Sequence, residues 1–128
     1  MPEPREEFQY ALWRVVPNVE RGECINAGVV LYCRRNRFLE GLVALDRERL
    51  AALAPDADAD AIERHLASLA AIAAGEDRAG PIAAMEQPDR FHWLVAPSST
   101  IVQPSPVHTG LSGDPAGTLE HLFATLVR

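Results

Sequence analysis

Between Tyr10 and Arg34 the chain reads YALWRVVPNVERGECINAGVVLYCR, and no other stretch restricts its folding options as tightly. Aromatic and β-branched residues fall in two blocks, FQYALWRVV (8–16) and CINAGVVLYCR (24–34). They flank PNVERGE, in which Pro17, Asn18 and Gly22 are turn formers. A second turn, RNR, leads into a third block, FLEGLVALD (38–46). Three neighbouring strands with short connections predict an antiparallel meander.

Side-chain alternation then sets an expected register. Ile25, Ala27, Val29, Leu31 and Cys33 share one face of the second strand. Pairing Cys33 with Leu39 and Val29 with Val43 aligns that face with Leu39, Gly41, Val43 and Leu45. In the first hairpin, Pro17 across from Glu23 puts Arg14 opposite Asn26 and Leu12 opposite Gly28. The other face then carries Tyr10, Leu12, Arg14, Asn26, Gly28, Val30, Tyr32 and Glu40, a mixed surface available to a partner or a second copy.

Helical signals follow the strands. Asp46 can cap RERLAALA, which Pro55 ends. Asp60 and Glu63 have capping-box spacing ahead of a longer helix that closes near Gly75. In that helix Ile62, Leu66, Leu69 and Ile72 or Ala73 form one apolar stripe. GEDRAGP is a loop, and PDRFHWLVAP fits either a strand or a short helix capped by Asp89. STIVQP reads as a short strand that Pro104 and Pro106 keep out of a sheet's interior. Asp114 caps a last helix with Pro115 in its first turn and Leu119, Leu122, Phe123 and Leu126 on its buried stripe.

Strands followed by helices predict an α+β domain: an N-terminal three-stranded antiparallel meander, then helices, a short additional strand and a C-terminal helix packed on the sheet. At 128 residues the chain suits a single domain, 1–128, with residues 1–6 a flexible lead-in. A hydrophobic content of 48% against 23% charged argues against disorder. Lysine is absent, so arginine carries all the side-chain positive charge, as GC-rich coding would give.

Charge and composition exclude several functions. A net charge of −6 disfavours general nucleic-acid binding, which draws on basic surfaces. MPEPREEF lacks the basic and apolar regions of an export signal, and no apolar run nears the roughly 20 residues of a membrane span. Cys24 and Cys33 fall in one strand, at roughly 30 Å separation by strand rise, too far to bond to each other. Free thiols without an export signal suggest the cytoplasm, and their spacing suggests no zinc site.

Polar residues interrupt the apolar blocks at Arg14, Glu23 and Asn26. Two readings fit them. In one, the Arg14 fork takes a carboxylate or phosphate and Asn26 orients it; in the other, Arg14 and Asn26 pair across the strands while Glu23 binds Arg21 or turn amides. Arg90 could add a second anion contact, and RFHW (90–93) offers Trp93 either for stacking or as a core anchor. In PSPVHTGL (104–111), His108 and Thr109 could hold an anion or move a proton, or the histidine could bond backbone in a rigid loop. His and Thr are adjacent and occur once, so the paired His-x-Thr of two-histidine phosphodiesterases is not met. DADAD (56–60) opens like an EF-hand loop, but Ala61 and Ala67 stand where its glycine and glutamate belong. RRNR (34–37) suits a solvated hairpin tip, and His65 and His121 suit structural helix positions. No catalytic set, metal site or cofactor motif emerges.

YALWRVVPNVERGECINAGVVLYCR, RFHWLVAPSSTIVQPSPVHTGL and DPAGTLEHLFATLVR together resemble a bacterial family known as domain of unknown function 3037. The likeness covers nearly the whole chain, and Arg14, Glu23, Asn26 and His108 match its pattern without bringing a role. The resemblance implies a bacterial cytoplasmic single domain and suggests a HipA-type kinase as a partner. It also implies a basic residue after the AP of the third-quarter motif, where this chain has Ser98. The leading expectation is a non-enzymatic binding or adaptor domain for a protein partner. A small enzyme or binding protein for a phosphorylated or nucleotide-like ligand, using Arg14, Glu23, Asn26, Arg90 and His108, is the alternative, and self-association through the second sheet face a third.

Overall fold

A computed structural model describes residues 4–98 and 100–128. The first three residues of the expected flexible lead-in lie outside the described residues, and β1 already includes Glu6. The chain is α+β. β1 (Glu6–Val15), β2 (Ile25–Cys33) and β3 (Phe38–Val43) form the expected meander. β4 (Val102–Pro104) and β5 (His108–Ser112) pair with the remaining side of β1, giving the order β3-β2-β1-β4 with β5 also on β1. β1 is therefore flanked on both sides.

The register corrects the alternation argument. Arg14 does face Asn26, but Trp13 pairs with Gly28 and Leu12 with Val29. Between these pairs Ala27 is an additional residue on β2, a β-bulge that transposes the faces on either side of it. Ile25 and Ala27 join Val30 and Tyr32 in one core cluster, whereas Val29, Leu31 and Cys33 join the other. The β2–β3 register is one residue from expectation: Cys33 faces Phe38 and Val29 faces Leu42. Arg37, at φ 50, closes that hairpin, its N–H donating to the Arg34 carbonyl at 3.1 Å.

The physical reason is that β2 is buried on both faces, all of it except Asn26. A strand apolar on both sides carries no alternation signal, so either register looked satisfactory. The outcome explains Gly28 and Gly41. A Cβ on Gly28 would sit 2.8 Å from the Trp13 ring, and one on Gly41 2.6 Å from it. The bulge has placed Trp13 on the glycines' side, and the two glycines form the slot in which its indole lies. Buried Trp13 also donates Nε1–H to the Leu94 carbonyl at 3.3 Å, so its one polar atom is satisfied.

Helices cover both sheet faces. On the Trp13 side lie α1 (Arg47–Leu53), α2 (Ala59–Ala74) and α3 (Gln87–Leu94), delivering Leu50, Ile62, Leu66, Leu69, Ile72, Ala73, Phe91 and Leu94 to the core. Asp46 caps α1 through the Arg49 N–H, and Gly75 ends α2 at φ 72. The cap of α2 is Asp58, which accepts from Ala61 N–H at 3.0 Å, and not Asp60, which falls in the first turn. Residues 87–94 resolve as helix; its N-cap is Glu86, Pro88 stands in the first turn, and Asp89 is inside it. Two short 3-10 turns, Asp77–Ala79 and Ile82–Ala84, join α2 to α3.

α4 (Pro115–Leu126) covers the opposite face, with Leu119 and Phe123 against Phe8, Leu12, Val29, Leu31 and Cys33. Asp114 caps it through Gly117 N–H at 3.1 Å. The second sheet face, expected to be open to another molecule, is thus occupied by the chain's own last helix. The 104–111 segment, expected as a loop, contains β5. Ser105, between the two prolines, bonds β1 directly: Leu12 N–H donates to Ser105 Oγ at 2.8 Å, and Ser105 N–H donates to the Leu12 carbonyl at 2.8 Å. The buried hydroxyl accepts from Leu12 where a strand partner would offer a backbone carbonyl, and so carries the pairing from β4 to β5.

Candidate functional site

The polar residues singled out in the sequence do not converge. Arg14 and Asn26 face each other, yet the Asn26 amide donates to the Leu126 carbonyl at 3.1 Å and so ties β2 to the end of α4. Glu23 is exposed and paired with Arg21. Gly28 is on the far side of the bulge. His108 faces Tyr10, its ring 5.2 Å from the tyrosine ring. It shares a sheet face with Arg14 but stands four residues along β1, roughly 13 Å at strand rise. Thr109 is exposed and pairs with Gln9.

Arg90 lies in the other helical layer, across the sheet from Arg14. It is 9% exposed, and its guanidinium donates to the carbonyls of Met85 at 2.8 Å, Ala83 at 3.4 Å and Ala73 at 3.1 Å. The group sits over Gly75, where the carbonyls ending α2 give a partial negative charge. Those donors fasten the α2 terminus, the following turn and α3 to one another, and they leave Arg90 little to offer an external anion.

Trp93 is placed differently. On α3 the buried residues are Arg90, Phe91 and Leu94, so Trp93 falls beside the buried stripe and is 45% exposed. Next to it a cleft of about 570 Å³ opens between α2 and the segment that joins α3 to β4. Its floor is Trp13, Ile62 and Leu69; its rim is Trp93, Pro97 and Ile101. Ile101 is 47% exposed and is held outward beside a short hydroxyl network, in which Ser98 Oγ lies 2.9 Å from Thr100 Oγ1 and Thr100 Oγ1 donates to the Val102 carbonyl at 2.9 Å. His65, from α2, is the one titratable side chain among the described lining residues.

The sequence marked Trp93 as a binding candidate and His65 as flanking the α2 stripe, but it did not join them. Ile101 was missed, because a β-branched residue in a short strand is the ordinary composition of a strand. In the structure Ile101 stands just ahead of β4 (Val102–Pro104), outside its paired residues, and no local sequence signal marks it.

An ion-pair network lies away from the cleft. Arg47 bonds Asp60 at 2.6 Å and Glu63 at 2.7 Å, linking the starts of α1 and α2. Hydrogen bonding to Asp60, then to Glu63, holds the guanidinium above its ordinary value, and the same bond holds the Asp60 carboxyl below its own. Among the described residues no cluster of His, Cys, Asp and Glu could hold a metal, and no helix is long and apolar enough to cross a membrane.

A family model described as "Protein of unknown function (DUF3037)" matches residues 10–127, nearly the whole chain. The chain belongs to that family. Comparison with curated proteins and with solved structures gives no match.

Proposed function

We propose that this DUF3037 protein is a non-enzymatic binding domain that takes an apolar segment of a partner protein into the cleft beside Trp93. The observation that carries the reading is the exposure of Trp93 and Ile101 on either side of an otherwise apolar depression. Contiguous apolar surface left in water marks interaction sites, and tryptophan is prominent among residues that dominate interface energies. The cleft volume falls within the range of about 300–1,000 Å³ typical of binding pockets. A lining with His65 as the one titratable group among its described residues suits a site that holds rather than reacts. The resemblance makes a cytoplasmic HipA-type kinase the first partner to test.

The phosphorylated-ligand reading has less support, since Arg90 is spent on carbonyls and Arg14 stands apart from His108. Affinity capture from native cells with the wild-type chain and with a Trp93→Ala, Ile101→Ala double variant tests the docking proposal. At least one protein should be retained by the wild type and lost by the variant. Identical captured sets, or none beyond the bait, would overturn it.

A further inference from the structure

We infer that the outer edge of β5 pairs with the same edge of a second copy, antiparallel about Gly110, to join two sheets into one. Any open sheet has edges whose unpaired N–H and C=O groups invite another strand, and proteins usually block them. Two edges here are blocked. β3 carries the charge of Glu40 and lies under α2. β4 contains Pro104 and is followed by Pro106. β5, His108–Ser112, has neither device: HTGLS contains no formal charge and no proline, and its pairing with β1 runs without a bulge.

Side chains identify a second copy as the occupant. Leu111 is 62% exposed, more than any other large apolar residue described, and Val107 beside the strand is exposed as well. A two-fold axis at Gly110 sets His108 across from the other copy's Ser112 and Thr109 across from its Leu111. The two Leu111 side chains then become diagonal neighbours on one face, roughly 7–8 Å apart and within reach of each other, with Val107 of each copy alongside. On the opposite face, histidine meets serine and glycine meets glycine. The strand is complementary to itself, with no like charges opposed. β5 contributes nothing to the lining of the cleft, so this inference stands independently of the docking proposal.

Charge supplies a signature. Each copy carries −6, so repulsion opposes association while the contact itself is neutral. Added salt shortens the screening length from about 14 Å near 50 mM to about 4 Å near 500 mM and should strengthen the dimer. A basic partner at the same edge would respond in the opposite sense.

Analytical ultracentrifugation of the wild-type chain across that salt range, with hydrogen exchange read at low and high protein concentration, tests the inference. Expected are a dimer fraction that rises with salt and concentration-dependent protection of outward β5 amides. Thr109→Lys and Leu111→Lys, both at exposed positions, should each weaken dimerisation at least about tenfold while leaving the monomer folded. A wild-type chain that stays monomeric would overturn the inference. So would a dimer whose β5 amides exchange alike at both concentrations, or one that both lysine variants leave intact.

Discussion

The two tryptophans of this chain meet at one cleft and are treated oppositely. Trp13, on the floor, is 1% exposed, lies in a slot formed by Gly28 and Gly41, and donates its indole N–H to a backbone carbonyl. Trp93, on the rim, is nearly half exposed, on a helix turn whose buried positions belong to its neighbours. Floor and rim are a few residues' width apart, yet one region is specified by fit and the other is left unfilled. Burial of an indole with a satisfied N–H stabilises the fold, whereas an exposed indole contributes little until something covers it. The floor therefore governs stability and the rim governs binding.

The largest effect that would break this contrast lies in the floor. Trp13→Ala should cost about 3–5 kcal/mol in urea unfolding, the usual range for emptying a buried aromatic site. Gly41→Ala should cost about 1–3 kcal/mol, since the new methyl meets the indole. Trp13→Phe in the Gly41→Ala background should recover part of that loss, and strict additivity would disprove the slot. Arg90→Met keeps the aliphatic stem but leaves the Met85 and Ala73 carbonyls without their donor, for an expected loss of about 1–3 kcal/mol. At the rim, Trp93→Ala should change stability by no more than about 0.5 kcal/mol. A loss as large as that of Trp13 would mean the rim is core and the contrast false.

The smallest effect concerns pH. Arg47 holds the Asp60 carboxyl below its ordinary value of 3.8. A depressed carboxyl contributes stability above its unfolded value and loses it as pH falls through the folded one. Wild type and Asp60→Asn should therefore differ slightly near neutrality and converge in acid below 3.8, as followed by urea unfolding at several pH values. Both groups are exposed, so added salt should erase most of the difference.

How far the sequence could be read depended on whether the determining chemistry was local. Asp46, Asp114, Pro115 and Gly75 act within one turn of chain, and their roles as caps and terminators were legible. DADAD offered three acids for one cap, and spacing alone favoured Asp60 over Asp58. The bulge at Ala27 was not legible, because β2 is buried on both faces and leaves no polar row to mark a slip. From that one residue followed the wrong side for Gly28, and the same two-sided burial hid the β2–β3 register. β5 was hidden by the prolines ahead of it, since the Ser105–Leu12 bond that carries the pairing onward spans 93 residues. Of the expected site, Arg14 and Asn26 came together as sequence reasoning had them, Arg90 and His108 did not join them, and Trp93 opened onto a cleft formed by three separate segments.

The claim that the rim is the binding surface is tested most directly by site-specific photocrosslinking in native cells. A benzophenone side chain would be placed at Ile101 in one strain and, as a control, at exposed Glu120 on α4 in another. The account predicts a discrete crosslinked protein from position 101 that is absent from position 120 and disappears when Trp93→Ala is added. Crosslinking that is equal at both positions, or unaffected by loss of the Trp93 indole, would contradict it.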